Sequence, residues 1–319
     1  MDKYPSVLDL NKLKQEMNLS DEAIKNSGFT PEDLQTIYSD YLGRLPNLEN
    51  LKNNFIFKYI APAKGVRIHS YGGRVKSPTH LIEKIIRKRS TNDSKYKNMT
   101  VSDYYKYITD LIGCRILLVY KDDWKEVHNY LIQTFPNNSS AYIDQSSYVS
   151  SYDNACQFPF MAEAPVVHMR IGDAEIYPED MVKVERGKYY RSLHYIVRIN
   201  EYYVEIQVRT LFEEAWGEVD HDVLYPYHKD DTMLVNFSTL INRAAGMSDE
   251  MSAYFKTELS QREPINRGIL RDVPLVFDEH NLETLPPFPT HSAIPIVPQD
   301  PNESTPDKIL SSIIYGKKV

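Results

Sequence analysis

From Tyr203 to Thr210 the chain reads Tyr-Val-Glu-Ile-Gln-Val-Arg-Thr, alternating at every step between a polar or aromatic residue and a β-branched apolar one. That period-2 pattern predicts a strand with one wet and one dry face. Val204, Ile206 and Val208 are expected in a core, with Tyr203, Glu205, Gln207 and Arg209 together on the opposite face. A carboxylate, an amide and a guanidinium in one row suit phosphate chemistry. The same row would also serve as an ordinary solvated strand face. Shortly before it stands Tyr190-Arg191-Ser192-Leu193-His194, whose histidine reads either as a site residue or as a hydrogen-bonded strand histidine.

The length of 319 residues allows one large domain with extensions or two modest ones. At 42% hydrophobic and 25% charged, the composition is that of a globular chain. No apolar run approaches the roughly 20 residues of a membrane span, and Met1-Asp2-Lys3-Tyr4-Pro5 begins no signal-peptide pattern. Neither a membrane partner nor a disulfide framework is expected, the only cysteines being Cys114 and Cys156, and the expected compartment is cytoplasmic. A net charge of -7 argues against broad coating of nucleic acid. A local basic groove remains compatible with it.

Such a groove is suggested between residues 64 and 97, where Lys64, Arg67, Arg74, Lys76, Lys84 and Arg87 are followed by Lys88, Arg89, Lys95 and Lys97. Val66 to Lys76 reads as a strand pair turning at Gly72-Gly73, with Arg74 and Lys76 on one face of the second strand. Ser77-Pro78-Thr79 opens a helix with proline in its first turn. On that helix His80, Lys84 and Arg87 or Lys88 form a stripe, while Leu81, Ile82, Ile85 and Ile86 form the buried side. The stripe suits a polyanion near a helix start, or equally a basic solvated face.

Thr109 to Tyr120 reads as a buried strand entered through Asp110, which is either a turn residue or a metal ligand. Asp123 is expected to cap a helix that buries Trp124, Val127, Leu131 and Phe135. Residues 136–165 read as a long loop or insertion. Strands are expected at 166–171 and 193–200, a helix carrying Phe212, Ala215, Trp216 and Val219, and a further amphipathic helix or pair over 234–255. Residues 285–306 are proline-rich and read as a linker or arm, with a short helix at 307–315. Trp216 and His221 are expected to pack and cap, and Arg115 to be either an ion-pair partner or a ligand-binding residue.

Taken in order, these motifs resemble the alarmone synthetases of the RelA/SpoT family. Gly73-Arg74-Val75-Lys76-Ser77-Pro78 with Lys84 and Arg87 resembles the ATP-binding segment, and Asp110-Leu111-Ile112-Gly113-Cys114-Arg115 the metal-binding strand. Tyr190 to His194 resembles the acceptor loop, Glu205 to Thr210 the catalytic strand, and Leu211 to His221 the helix that follows it. The resemblance implies an α+β fold: a mixed β-sheet flanked by helices, nucleotidyltransferase-like, over 59–260. A helical extension at 1–58 and a proline-rich, regulatory extension at 261–319 would complete the chain. It also implies transfer of the β,γ-pyrophosphate of ATP to the ribose 3′-hydroxyl of GDP or GTP, making (p)ppGpp-type alarmones. Residues 1–60 contain no histidine, so no hydrolase signature accompanies the synthetase.

Residue by residue, the resemblance makes Asp110 and Glu205 ligands of Mg²⁺, with Glu205 also the base for the 3′-hydroxyl. Arg74, Lys76, Lys84 and Arg87 would hold the ATP phosphates. Tyr190 would stack on the acceptor base, His194 and Gln207 would orient the acceptor, and Arg186 and Lys188, with Lys183, would meet its 5′-phosphates. One departure stands out: Tyr189 replaces a glycine of the family's acceptor loop, so that loop must follow another path. The long insertion and tail look similar to a toxic branch found in toxin–antitoxin and phage-defence systems. That branch implies the 3′ end of tRNA, or an adenine nucleotide, as alternative acceptor, and an antitoxin or phage protein as partner. Lys95, Lys97, Arg87 and Arg89 would then track the tRNA backbone. A catalytically inactive nucleotide-binding module would be expected to lack Asp110, Glu205 or part of the basic set, and all are present.

Overall fold

The computed structural model describes residues 4–63, 65–91, 94–137, 159–171, 173, 176–187, 189–224, 231–262 and 275–276. Most of the expected insertion and of the proline-rich extension, including the short helix at 307–315, lies outside the described residues, as does Lys188. The chain opens with helices α1 (Leu10–Met17), α2 (Asp21–Ser27) and α3 (Pro31–Phe55). Each starts where its sequence supplies a cap. Asp9, Ser20 and Thr30 accept from the backbone of the first turn, and Thr30 and Asp33 complete a reciprocal capping box. A single π-helical segment, Ile56–Ile60, follows α3 without a break.

The strands are β1 (Ser70–Val75), β2 (Ile112–Leu118), β3 (Phe160–Met161), β4 (Val166–Arg170), β5 (Lys183–Gly187), β6 (Ser192–Ile199), β7 (Tyr202–Thr210) and β8 (Leu275–Val276). Between them stand α4 (Pro78–Ser90), α5 (Trp124–Thr134), α6 (Leu211–Leu224) and α7 (Thr232–Arg262). The strands form one mixed sheet in the order β5-β4-β6-β7-β2-β1-β8, with β3 beside β6. The fold is α+β, with β7 and β2 running parallel at its centre. Their dry faces hold Ile112, Cys114, Ile116, Val204 and Ile206, all essentially inaccessible, and one core cluster carries on from there into α3, α4 and α5.

Three local expectations are corrected. Gly72-Gly73 makes no turn. Both lie inside the single strand β1, opposite Arg115 and Cys114. Gly73 is there because the π-helical segment presses on it: a Cβ would stand 2.8 Å from Ile56 Cδ1 and 3.1 Å from the Gly113 carbonyl. Asp123 stands at the N-cap position of α5 but its side chain makes no capping bond, its carboxylate being taken by Lys256 of α7. Tyr203 alternates onto the wet face of β7 yet is buried, with the Arg198 guanidinium 5.7 Å from its ring. The amphipathic stretch at 234–255 is one helix, α7.

Candidate active site

Alternation along the central strands gathers the polar residues on one side of the sheet. Arg74 on β1 lies opposite Gly113 on β2, and Gly113 in turn beside Glu205 on β7. The next row places Arg115 beside Gln207 and Gln207 opposite His194 on β6. Neighbours in register share a face. Gly113 adds no side chain between Arg74 and Glu205, so the floor there is bare backbone.

Glu205, Gln207 and His194 close a ring with Arg209 of β7 and Tyr190. Gln207 Nε2 donates to Glu205 Oε2 at 2.6 Å, and Arg209 Nη2 donates to Gln207 Oε1 at 2.8 Å. The same Arg209 nitrogen also bonds the Tyr190 hydroxyl, which lies 3.0 Å from His194 Nε2. His194 Nδ1 then faces Glu205 Oε1 at 3.4 Å. Arg209 can only donate and an ionised Glu205 can only accept. Both arms of the ring therefore run from the guanidinium to the carboxylate, and that direction gives a neutral His194 its proton on Nδ1. Burial raises the Glu205 pKa, but the His194 and Gln207 contacts outweigh it and hold the carboxyl below its ordinary value. Glu205 is thus an ionised carboxylate near neutral pH. Each unit of such lowering costs about 1.4 kcal/mol of basicity.

Asp110 stands just ahead of β2, where the backbone of Lys76 pairs with the carbonyl of Leu111. Two ammonium groups close on it, Lys76 Nζ at 3.0 Å from Oδ2 and Lys84 Nζ at 2.8 Å from Oδ1. Burial pushes the carboxyl's pKa up, and the two lysines bring the net shift below the ordinary value. Lys84 reaches this point because Ser77 caps α4 one residue after Lys76, so strand and helix deliver their cations to one place. Oδ1 is buried and accepts no well-angled hydrogen bond despite the nearby ammonium. Asp110 and Glu205 also sense one another: the charge of Asp110 raises the Glu205 pKa. The result is two ionised carboxylates with cations close by.

Residues 73–230 match the region found in RelA/SpoT proteins. The chain is a RelA/SpoT-domain protein. Among solved structures it is similar to small alarmone synthetase 1 from Bacillus subtilis at 19% identity, covering 68% of this chain and 93% of that one with a TM-score of 0.43. The same synthetase bound to its product pppGpp gives 19%, 70%, 98% and 0.42. A GTP pyrophosphokinase family protein from Streptococcus pneumoniae gives 18%, 70%, 95% and 0.44. A comparison with curated proteins returns no match.

Within the RelA/SpoT region the structure brings together Glu205, Gln207, Tyr190 and His194 in the ring, and Asp110, Lys76 and Lys84 in the second group. Arg74 lies between the two in register. Arg87 stands one turn beyond Lys84, half exposed, with its Nε 2.8 Å from the buried Glu83. Arg186 is exposed on the edge strand β5, and alternation turns its position away from the face that carries Glu185 and His168. Lys183 is exposed and pairs with Glu185 at 2.7 Å. Arg115 is an ion-pair residue, bound by Glu214 and Glu218 of α6. Trp216 packs with its indole N–H on Ser238, while His221 on α6 is exposed.

Two residues of the site were not singled out by sequence. Arg209 was visible on the wet face but had no assigned task, and it anchors the ring. His168 on β4 lies 4.8 Å from the His194 ring and 5.6 Å from the Tyr190 ring, and burial followed by the His194 charge lowers its pKa. A lone histidine in the apolar run Val-Val-His-Met gives no signal of that proximity. Among the described residues no three His, Cys, Asp or Glu side chains form a metal cage. No helix of the described residues is long and apolar enough to cross a membrane.

Proposed function

We propose that this RelA/SpoT-domain chain is a Mg²⁺-dependent pyrophosphokinase that transfers the β,γ-pyrophosphate of ATP to the ribose 3′-hydroxyl of GDP or GTP. The observation that carries the reading is the pairing of two ionised carboxylates, Asp110 and Glu205, with Lys76 and Lys84 beside the first. Lys76, Lys84 and Arg74 would take the triphosphate oxygens, and Arg87 would meet the outer end of the chain. Glu205 would receive the proton of the 3′-hydroxyl. The freed oxygen attacks the β-phosphorus, the bond from that phosphorus to the α–β bridging oxygen breaks, and AMP leaves. His194 and Gln207 hold Glu205 in position from both sides, and Tyr190 flanks the acceptor. Lys188 is proposed to meet the acceptor's 5′-phosphates, and Arg186, whose position turns away from the face of Glu185 and His168, is left out of that role.

The donor set fits a magnesium ion. Asp110 and Glu205 supply two hard oxygens, one of them without a well-angled donor, and phosphate and water would complete the shell. When bound, the ion would neutralise phosphate charge. The tRNA reading has less support. Arg89 is spent on the carbonyls of Ser27, Tyr96 and Lys97, Lys95 pairs with Glu163, and Arg87 pairs with Glu83. The test is incubation of the full chain with ATP labelled in the β-phosphate, together with either GDP and GTP or bulk tRNA. Label in a guanosine tetra- or pentaphosphate is expected. Label confined to the tRNA 3′ end would overturn the choice of acceptor. Glu205→Gln should cut transfer by about 10²–10³ in a chain that still unfolds cooperatively.

A further inference from the structure

The acceptor loop is held from behind by a part of the chain that carries none of the motifs. Asn242, on α7 and 2% exposed, donates from Nδ2 to the main-chain carbonyl of Tyr189 at 2.8 Å. Its own orientation is fixed by Arg170 of β4, whose Nη1 donates to Asn242 Oδ1 at 3.2 Å and to the Asn242 carbonyl at 2.8 Å. Arg170 in turn is held by Glu213 of α6 at 2.6 Å. One turn along α7, Gly246 lets the guanidinium lie flat against the helix, since a Cβ there would stand 2.9 Å from Nη2. The geometry leaves Asn242 no freedom to turn its amide, because an acceptor-only oxygen faces Arg170 and the donor side faces Tyr189.

We infer that Asn242, clamped by Arg170, is a positioning residue that sets the path of the acceptor loop at Tyr189 and so governs acceptor recognition without touching the donor site. Tyr189 stands where the backbone cannot use a glycine's freedom, and an external donor on its carbonyl is one way to hold the required path. Tyr190, next along the chain, is part of the ring around Glu205, so a displaced Tyr189 shifts the wall against which the acceptor must lie. Lys76, Lys84 and Asp110 belong to other elements and are not in this chain of contacts.

The inference rests on the reading of residues 186–194 as the acceptor loop, and two measurements separate the two claims. In the full chain, Asn242→Asp keeps the shape and the bond from Arg170 but removes the donor to Tyr189. Backbone amide exchange at 189–192 should speed up in this variant. The KM for GDP or GTP should rise about tenfold, the effect of leaving one carbonyl without its donor. The KM for ATP should stay within about twofold on the same reasoning. Arg170→Lys, which retains charge beside Glu213 but loses the fork, should move the same quantities in the same direction and guards against a variant that fails to fold. Equal rises in both KM values, or unchanged exchange at 189–192 in a folded variant, would overturn the inference. A parent chain that transfers pyrophosphate to no nucleotide would sink the proposed function, and the exchange measurement would still decide the role of Asn242.

Discussion

Helices α4 and α7 are put together by opposite rules. The first buries Leu81, Ile82, Ile85 and Ile86 completely and sends Lys84 onto Asp110, Arg89 onto main-chain carbonyls and Arg87 outward. The second buries Ser238, Asn242, Ala245, Asp249 and Ala253, while Met233, Phe237, Leu240, Met247 and Met251 are more than half exposed. The difference comes from what each helix rests on. Under α4 lies the apolar core. Under α7 lies a charged cluster in which Arg170 and Arg191 meet Glu213, Asp173 and Asp249. Small and polar side chains are the ones that let a helix approach such a cluster and satisfy it. Amphipathicity tells which face a helix hides only when the surface beneath it is apolar.

Breaking the cluster should have the largest effect on the fold. Asp249 is fully buried, paired with Arg191 and accepting from the Thr210 hydroxyl at 3.0 Å. Asp249→Ala takes one of three carboxylates from the buried Arg191 guanidinium and leaves the Thr210 hydroxyl without its acceptor, and should cost about 3–5 kcal/mol in denaturant titration. A loss below about 1 kcal/mol would mean the cluster does not hold α7. The apolar counterpart comes next. Ile85→Ala on α4 should cost about 2–5 kcal/mol, whereas Leu240→Ser on α7 should stay within about 0.5 kcal/mol, both read from the same titration. Equal losses at the two positions would erase the distinction between the helices.

The smallest effect tests the sign of a charge. Burial raises the pKa of Glu213 above its ordinary value, and the attraction of Arg191 and Arg170 does not cancel that. A carboxyl whose folded pKa lies above its unfolded pKa binds more protons in the folded state, so its contribution to stability falls as pH rises from about 4.5 through the folded value. Asp110 and Glu205 are lowered instead, so their contribution is complete above the unfolded pKa and is lost as pH falls below it. Glu213→Gln should therefore flatten the decline on the alkaline side of that range and leave in place the acid limb, to which Asp110, Glu205, Glu185 and Glu218 contribute. Melting temperatures from pH 3 to pH 8 would show it, and a variant with an unchanged profile would contradict the assignment.

What could be read in advance divides along the same line. The strand β7, the capped start of α4 and the apolar face of α4 follow from period and cap chemistry within a few neighbouring residues. The wet face of β7 is equally legible, which is why period alone puts Glu205 and Gln207 in one row. Which cation meets Asp110 is not legible, because Lys76, Lys84 and Asp110 come from three segments that only the tertiary fold brings together. Gly72-Gly73 misled for a related reason. Glycine marks a turn when its backbone needs positive φ, yet Gly73 is in a strand to admit Ile56 from a segment well upstream. The buried polar stripe of α7 ran against the pattern altogether, and the polar residues that do most to fix the acceptor loop read there as surface.

The ammonium groups of Lys76 and Lys84 are matched by a carboxylate of the chain itself, Asp110. Under the proposed function, arrival of a triphosphate would be an exchange of one anion for another, not a capture by bare positive charge. Few small ions need to leave the protein when that happens, so the affinity for ATP should fall with ionic strength more gently than four cations would suggest. The same pairing spares the fold a large self-repulsion between the two lysines at this point.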